Sequence, residues 1–281
     1  MSKAITDVFY TAFKTALPLT SSPLVQCITN EITVESMANA LLYIDAKPVM
    51  ADDQREFPEF FAQSDALLLN LGHISEVRQQ NLLAAGKFAQ ATNQPTVIDL
   101  VGVSATQLRY DLGHQLLVNH PNVVKGNISE MRRFADLKST GRGVDGSQLD
   151  QSATALGELA ASLQQLTQAF PTTTFLATGK IDLVVSAKGT WYLKNGVPQL
   201  DRFTGTGDIV GALIAALLGT TGLANDAAVV VAVSYFNCCG EVAAAQNRTG
   251  GLAAFREGTL NQLSLLAATA DWLQMVKGEA L

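Results

Sequence analysis

The sequence predicts a single α/β domain, residues 1–281, built on a mostly parallel central sheet flanked by helices on both faces. Three observations lead there. Short runs rich in Val, Ile and Leu recur and most run into Gly, Asn or Asp, as buried parallel strands do. Between several of them lie segments with helical spacing and good helix formers, so strand and helix alternate. No internal repeat, low-complexity tract or long linker divides the chain.

In chain order, residues 1–14 (MSKAITDVFYTAFK) mix apolar positions with Lys3, Asp7 and Lys14, which predicts an amphipathic surface helix and lacks the apolar run of a signal peptide. Strands are expected at Leu67–Leu71, Val97–Leu100, Val123–Lys125, Thr174–Thr178 and Leu183–Ser186. Helices are expected at Ser75–Thr92 and Ser152–Ala169, with a polar surface excursion over Lys138–Gln151. Trp191, Tyr192 and Leu193 followed by Lys194, Asn195 and Gly196 read as an edge strand entering a tight turn, a small antiparallel addition to the sheet. Ile209–Gly240 carries Asp226 as its only charge, but Gly219, Thr220, Thr221, Gly222 and Asn225 split it into two segments, each short of the roughly 20 apolar residues that span a bilayer. Two buried helices are expected there, and no membrane partner.

Lys and Arg total 19 against 25 Asp and Glu, a net charge of -6, so no chain-wide field attracts nucleic acid or an acidic membrane surface. The three cysteines, Cys27 and the adjacent Cys238 and Cys239, have no zinc-site spacing and fit a reducing, cytoplasmic setting.

Ligands of open α/β sheets settle beyond the carboxyl ends of the strands. Gly205-Thr206-Gly207-Asp208 precedes an Ala-rich apolar helix, where glycines and a helix N-terminus turn unsatisfied N–H groups toward an anion such as a transferring phosphoryl group. A carboxylate at Asp208 can take the proton of an attacking hydroxyl; an aspartate there can equally be a helix cap. Asn127-Ile128-Ser129-Glu130 follows a strand end and either faces a hydrated Mg²⁺ carried on nucleotide phosphates or simply starts a helix. Asp99 ends its strand before Val101-Gly102, as a further contributor to the cation's water shell or as a turn former.

These pieces, together with Pro23 to Asn30, Ala38-Asn39-Ala40-Leu41-Leu42, Lys47-Pro48-Val49-Met50, Asp99 to Val103, Ala177-Thr178-Gly179 and Thr204 to Gly207, occur in one order over nearly the whole chain and resemble the hydroxyethylthiazole kinases. The resemblance implies a ribokinase-like fold, a homotrimer with active sites at subunit interfaces, and ATP- and Mg²⁺-dependent phosphorylation of the alcohol of 4-methyl-5-(2-hydroxyethyl)thiazole in thiamine salvage. It implies Asp208 as catalytic base, Met50 and Gly205 on the substrate side, Lys125, Thr178, Thr206 and Gly207 toward ATP, and Asn127, Glu130 and Asp99 toward Mg²⁺. Thr29 and Asn30 fall in the substrate-side segment. The chain departs from the family in carrying Asp208 where many members have Cys, Lys125 where Arg is usual, Leu100 in place of Pro, and His73 where Thr is common. Two other readings stand beside it: a nucleotide-dependent NAD(P)H-hydrate dehydratase, which also carries Gly-Thr-Gly-Asp, and a catalytically silent nucleotide-binding relative, favoured only if Lys125 and Leu100 mark decay.

Overall fold

The computed structural model describes residues 3–139, 141, 150, 152–220, 222–247, 249–269 and 271–281. Their frame is a ten-stranded sheet. In the chain, β1 (Lys3–Ala4), α1 (Ile5–Val8) and α2 (Tyr10–Thr15) precede β2 (Leu24–Ile28), α3 (Val34–Tyr43) and β3 (Lys47–Val49). Next come α4 (Phe57–Phe61), β4 (Ala66–Asn70), α5 (Glu76–Thr92), β5 (Thr96–Asp99), α6 (Gln107–Leu117), β6 (Val123–Asn127), α7 (Ile128–Phe134) and α8 (Ala153–Ala169). The remainder is β7 (Thr174–Thr178), β8 (Asp182–Ser186), β9 (Gly189–Leu193), α9 (Thr206–Gly219), α10 (Asn225–Gln246), α11 (Leu252–Thr269) and β10 (Gly278–Ala280).

The sheet order is β1-β10-β9-β8-β7-β6-β5-β4-β2-β3. Strands from β3 to β7 pair in parallel, and β8, β9, β10 and β1 extend the sheet antiparallel. The expected α/β architecture is therefore present, with one revision. Trp191–Leu193 is not at the edge, because β10 pairs beyond it with Gly278 opposite Leu193. Residues so far apart in sequence leave no local trace of that pairing. The short strands β2 and β3 were likewise not expected.

Side chains alternate across a strand, and this divides the core in two. Leu68, Val97, Val123, Leu176 and Val184 face a layer containing α3, α9, α10 and α11. Leu67, Leu69, Ile98, Val124, Phe175 and Val185 face α5 to α8. The N-terminal segment forms two short helices rather than one, and its apolar face is docked: Phe9 meets Trp191 and Phe13 meets Trp272, with ring centroids 5.2 and 5.8 Å apart.

The two apolar segments within Ile209–Gly240 are buried helices, α9 and α10. Among the described residues, α10 alone is long and apolar enough to cross a bilayer, and 83% of its most apolar stretch is buried inside the chain. Ile209 to Leu218 and Ala227 to Phe236 are at most 9% exposed, so the chain itself covers this apolar surface and it supplies no argument for self-association. Most of Lys138–Gln151 lies outside the described residues.

Candidate active site

The period of two that builds the core also builds the site. Two residues beyond Leu68, Val97 and Val123, on the same face, stand Asn70, Asp99 and Lys125, and these are direct cross-strand neighbours at the carboxyl ends of β4, β5 and β6. All three are at most 1% exposed. The N-terminal half of α9 lies over them: a Cβ on Gly207 would stand 3.6 Å from the Lys125 Nζ, and one on Gly211 would stand 3.6 Å from Asp99 Oδ2. These are ordinary van der Waals separations, so the start of the helix is packed directly on the polar strand residues.

Gly205 is the N-cap of α9, with φ 98° and no side-chain cap. A Cβ there would fall 2.8 Å from the Thr33 Cγ2. The amides of the first turn, Thr206 to Asp208, thus lack helical acceptors, and Gly205 to Gly207 are partly exposed. A helix N-terminus of this kind offers N–H donors and a positive dipole end to an anion.

Asp208 is the third residue of α9, not its cap, and its carboxylate is held by side chains. Asn70 Nδ2 donates to Oδ1 at 2.8 Å, Asn30 Nδ2 donates to Oδ2 at 3.1 Å, and the Thr33 hydroxyl donates to Oδ2. Asn30 is itself held by the turn that follows it, its Oδ1 accepting from the Ile32 and Thr33 amides. Asp208 is 8% exposed, so a narrow approach remains to a carboxylate whose orientation is fixed. This geometry replaces the capping alternative, since the groups it satisfies are not those of its own helix end.

Lys125 donates to Asp99 Oδ2 at 2.7 Å, a pair whose side chains are each 2% exposed. Burial pushes the Asp99 carboxyl above its ordinary value; the Lys125 ammonium opposes this and the charge of Asp208 reinforces it. Lys125 is thus engaged beneath α9 rather than presented at the surface, although its ammonium lies close to the Gly207 backbone.

Asn127 and Glu130 form a reciprocal capping box at the start of α7: Asn127 Oδ1 accepts from the Glu130 amide at 2.9 Å and Glu130 Oε2 accepts from the Asn127 amide at 2.7 Å. The other oxygen, Oε1, accepts from the Gly102 amide at 2.6 Å. Burial pushes Glu130 up to about 8 against the pull of those two backbone donors. With both oxygens engaged by backbone and 4% exposure, Glu130 does not fit a divalent cation as a direct ligand. Among the described residues no three Asp, Glu, His or Cys side chains gather as a metal site, while Asp99 lies near enough to Glu130 for its charge to be felt there.

Thr178 ends β7, its hydroxyl donating to the Gly126 carbonyl at 3.4 Å. The turn after it is closed by Asp182, whose Oδ1 accepts from the Gly179 amide at 2.9 Å and Oδ2 from Asn237 Nδ2 at 2.8 Å. Burial pushes the Asp182 carboxyl from 3.8 up to about 7. Because its folded value lies above its unfolded one, the native state holds the proton more tightly, and stability falls as pH rises from about 4 to about 7. Asp182→Asn is expected to flatten that part of the profile, as urea unfolding at pH 5 and pH 7.5 would measure.

Met50 follows β3 and is partly buried against the α9 side of the core. The Arg78 guanidinium ties this region together, donating to the Thr29 carbonyl and to Asp52 Oδ2 at 3.0 Å. His73 is exposed. Asn70 and Thr33 were missed as site residues. The signal for Asn70 was present: it is the single polar residue closing the run Ala66-Leu67-Leu68-Leu69-Asn70, at a strand end and on the α9 face.

The chain is similar to known proteins over its full length. The family model described as "Hydroxyethylthiazole kinase family" matches residues 19–269. A hydroxyethylthiazole kinase of Lacticaseibacillus paracasei is 99% identical over 281 residues, all of both chains. One of Enterococcus faecalis is 61% identical over 269 residues, 96% of this chain and 98% of its own. A solved hydroxyethylthiazole kinase protein of Pyrococcus horikoshii superposes with a TM-score of 0.81 at 25% identity, covering 98% of this chain and 99% of its own.

Proposed function

Because the chain belongs to the hydroxyethylthiazole kinase family, we propose that it transfers the γ-phosphoryl group of ATP to the primary alcohol of 4-methyl-5-(2-hydroxyethyl)thiazole, a phosphotransfer of thiamine salvage. The observation that carries this reading is the Asp208 carboxylate, fixed by Asn30, Thr33 and Asn70 beside the uncapped first turn of α9. In the reaction, Asp208 accepts the proton of the alcohol as its oxygen attacks the γ-phosphorus; the bond from that phosphorus to the β,γ-bridging oxygen breaks and ADP leaves. Amides of Thr206, Gly207 and Asp208 donate to the oxygens of the group in transit, where charge develops. Gly205 and Met50 line the alcohol's side, and Thr178 and Lys125 lie toward the nucleotide.

Mg²⁺ supplies charge neutralisation on the nucleotide phosphates. Glu130, with both oxygens accepting from backbone amides, does not fit it as a direct ligand; Asn127 and Asp99 would act through the cation's water shell, and no step is assigned through them. The cytoplasmic setting and the homotrimer with shared sites belong to the same reading. A trimer is the expected result of sedimentation at micromolar concentration, and a monomer there would remove the shared-site arrangement.

Incubation of the protein with ATP, Mg²⁺ and the thiazole alcohol is expected to yield the thiazole phosphate by mass spectrometry. A parallel incubation with hydrated NADH tests the dehydratase reading. Full-length likeness to thiazole kinases carries the choice between the two; repair of NADH without thiazole phosphate would reverse it.

A further inference from the structure

Asn70 is 0% exposed and sits between two acidic side chains. Its Nδ2 donates to Asp208 Oδ1 at 2.8 Å and lies 3.4 Å from Asp99 Oδ2. Its Oδ1 accepts from the Gly72 amide at 2.7 Å and from Asn30 Nδ2 at 3.3 Å. The Gly72 contact decides which way the amide points. A backbone N–H can only donate, so the group facing Gly72 is the carbonyl oxygen and the NH₂ faces the carboxylates. Arg109 anchors this arrangement from outside, donating to the Gly72 carbonyl at 3.0 Å and to the Val101 carbonyl at 2.8 Å.

A strand-end asparagine serving only its own turn would need the Gly72 contact and nothing more. Here the second half of the amide reaches across 138 residues of sequence to the carboxylate at the start of α9. Asn70 occupies one oxygen of Asp208, while Asn30 and Thr33 hold the other. At 0% exposure the Asn70 side chain has no surface open to a ligand; what it controls is the rotation of the Asp208 carboxylate.

We propose that Asn70 is a positioning residue of the phosphotransfer, locking the Asp208 carboxylate in the rotation from which it accepts the alcohol proton. The proposal rests on Asp208 being the base. It separates Asn70 from residues that bind either substrate, and it makes Gly72 part of the same device, because a Cβ on Gly72 would stand 2.7 Å from the Asn70 Oδ1 and 2.9 Å from the Asn30 Nδ2, pressing on both amides that hold Asp208.

The test is a double-mutant cycle on the full chain, with Asn70→Ala and Asp208→Ala singly and together, reading kcat, the KM for the thiazole alcohol and the Kd for ADP. Asn70→Ala is expected to lower kcat by about 10- to 100-fold, the scale of a misplaced catalytic group, with KM and Kd within about threefold. In the Asp208→Ala background the same change is expected to alter kcat by less than about twofold, because residues that act through one another are not additive. Gly72→Ala, which keeps the Asn70 side chain, is expected to reproduce the kcat loss and its disappearance in the Asp208→Ala background, and it serves should Asn70→Ala not fold. Unchanged kcat in Asn70→Ala, or a loss that persists in full without Asp208, would overturn the positioning role while leaving Asp208 as base. Unchanged kcat in Asp208→Ala would overturn the base assignment, and the proposal with it.

Discussion

Asp208→Asn is expected to lower kcat for the thiazole alcohol by about 10²- to 10⁴-fold, the contribution of a general base. Its effect on folding is expected to be smaller and of a different origin. Both oxygens of Asp208 accept from NH₂ groups, Oδ1 from Asn70 and Oδ2 from Asn30. An amide at position 208 must turn its own NH₂ toward one of those donors, which leaves a buried donor unsatisfied at a cost of about 1–3 kcal/mol. The melting temperature therefore drops even though asparagine is as good a helix cap as aspartate. Nucleotide affinity is expected to hold, because the first-turn amides of α9 remain and one negative charge near the phosphates is gone. Kinetics, ADP calorimetry and thermal unfolding of the same variant check the three parts. A kcat within threefold of the parent would place the base elsewhere.

The largest loss of stability is expected from Lys125→Met. Methionine fills most of the space but strands the Asp99 carboxylate at 1% exposure, and breaking a buried pair by removing one partner costs about 3–5 kcal/mol. The penalty should shrink in acid. Burial already raises Asp99, and Lys125 is the main group holding it down. Without Lys125 the folded value rises further above the unfolded one, so stability falls as pH rises from about 4, the unfolded carboxyl range. Lys125→Met with Asp99→Asn is expected to recover much of the loss, since the pair is then replaced by neutral groups. Urea unfolding of the three variants at pH 5 and pH 7.5 measures this. Equal destabilisation in the single and double variants would mean that packing beneath α9, rather than the stranded charge, dominates.

What was legible in the sequence follows from how local each signal is. The Leu-rich run at β4 and the Val-Ile run at β5 announce buried strands by composition alone, and the 17-residue helices α5 and α8 by spacing. Asn127 and Glu130 lie three apart, so the capping box was among the readings their spacing allowed. Gly205 to Asp208 was readable as a glycine turn into a helix. The surroundings of Asp208 were not, because Asn30, Thr33 and Asn70 meet it only through the sheet. The burial of Lys125 was not legible for a related reason: lysine is almost never fully buried unless paired, and its partner Asp99 is on another strand. The placement of β10 outside β9 had no local signature at all.

The grip on Asp208 joins residues separated by 138, 175 and 178 positions along the chain. Ribosomal synthesis produces Asn30, Thr33, Asn70, Asp99 and Lys125 long before α9 emerges. Any folding state in which the sheet has formed but α9 has not docked leaves this polar row uncovered, and the Lys125–Asp99 pair then faces water. Contacts of such separation form slowly, because distant segments must be brought together before any interaction rewards it. Refolding should accordingly show helical circular dichroism recovering ahead of phosphotransfer, with activity appearing only when α9 docks.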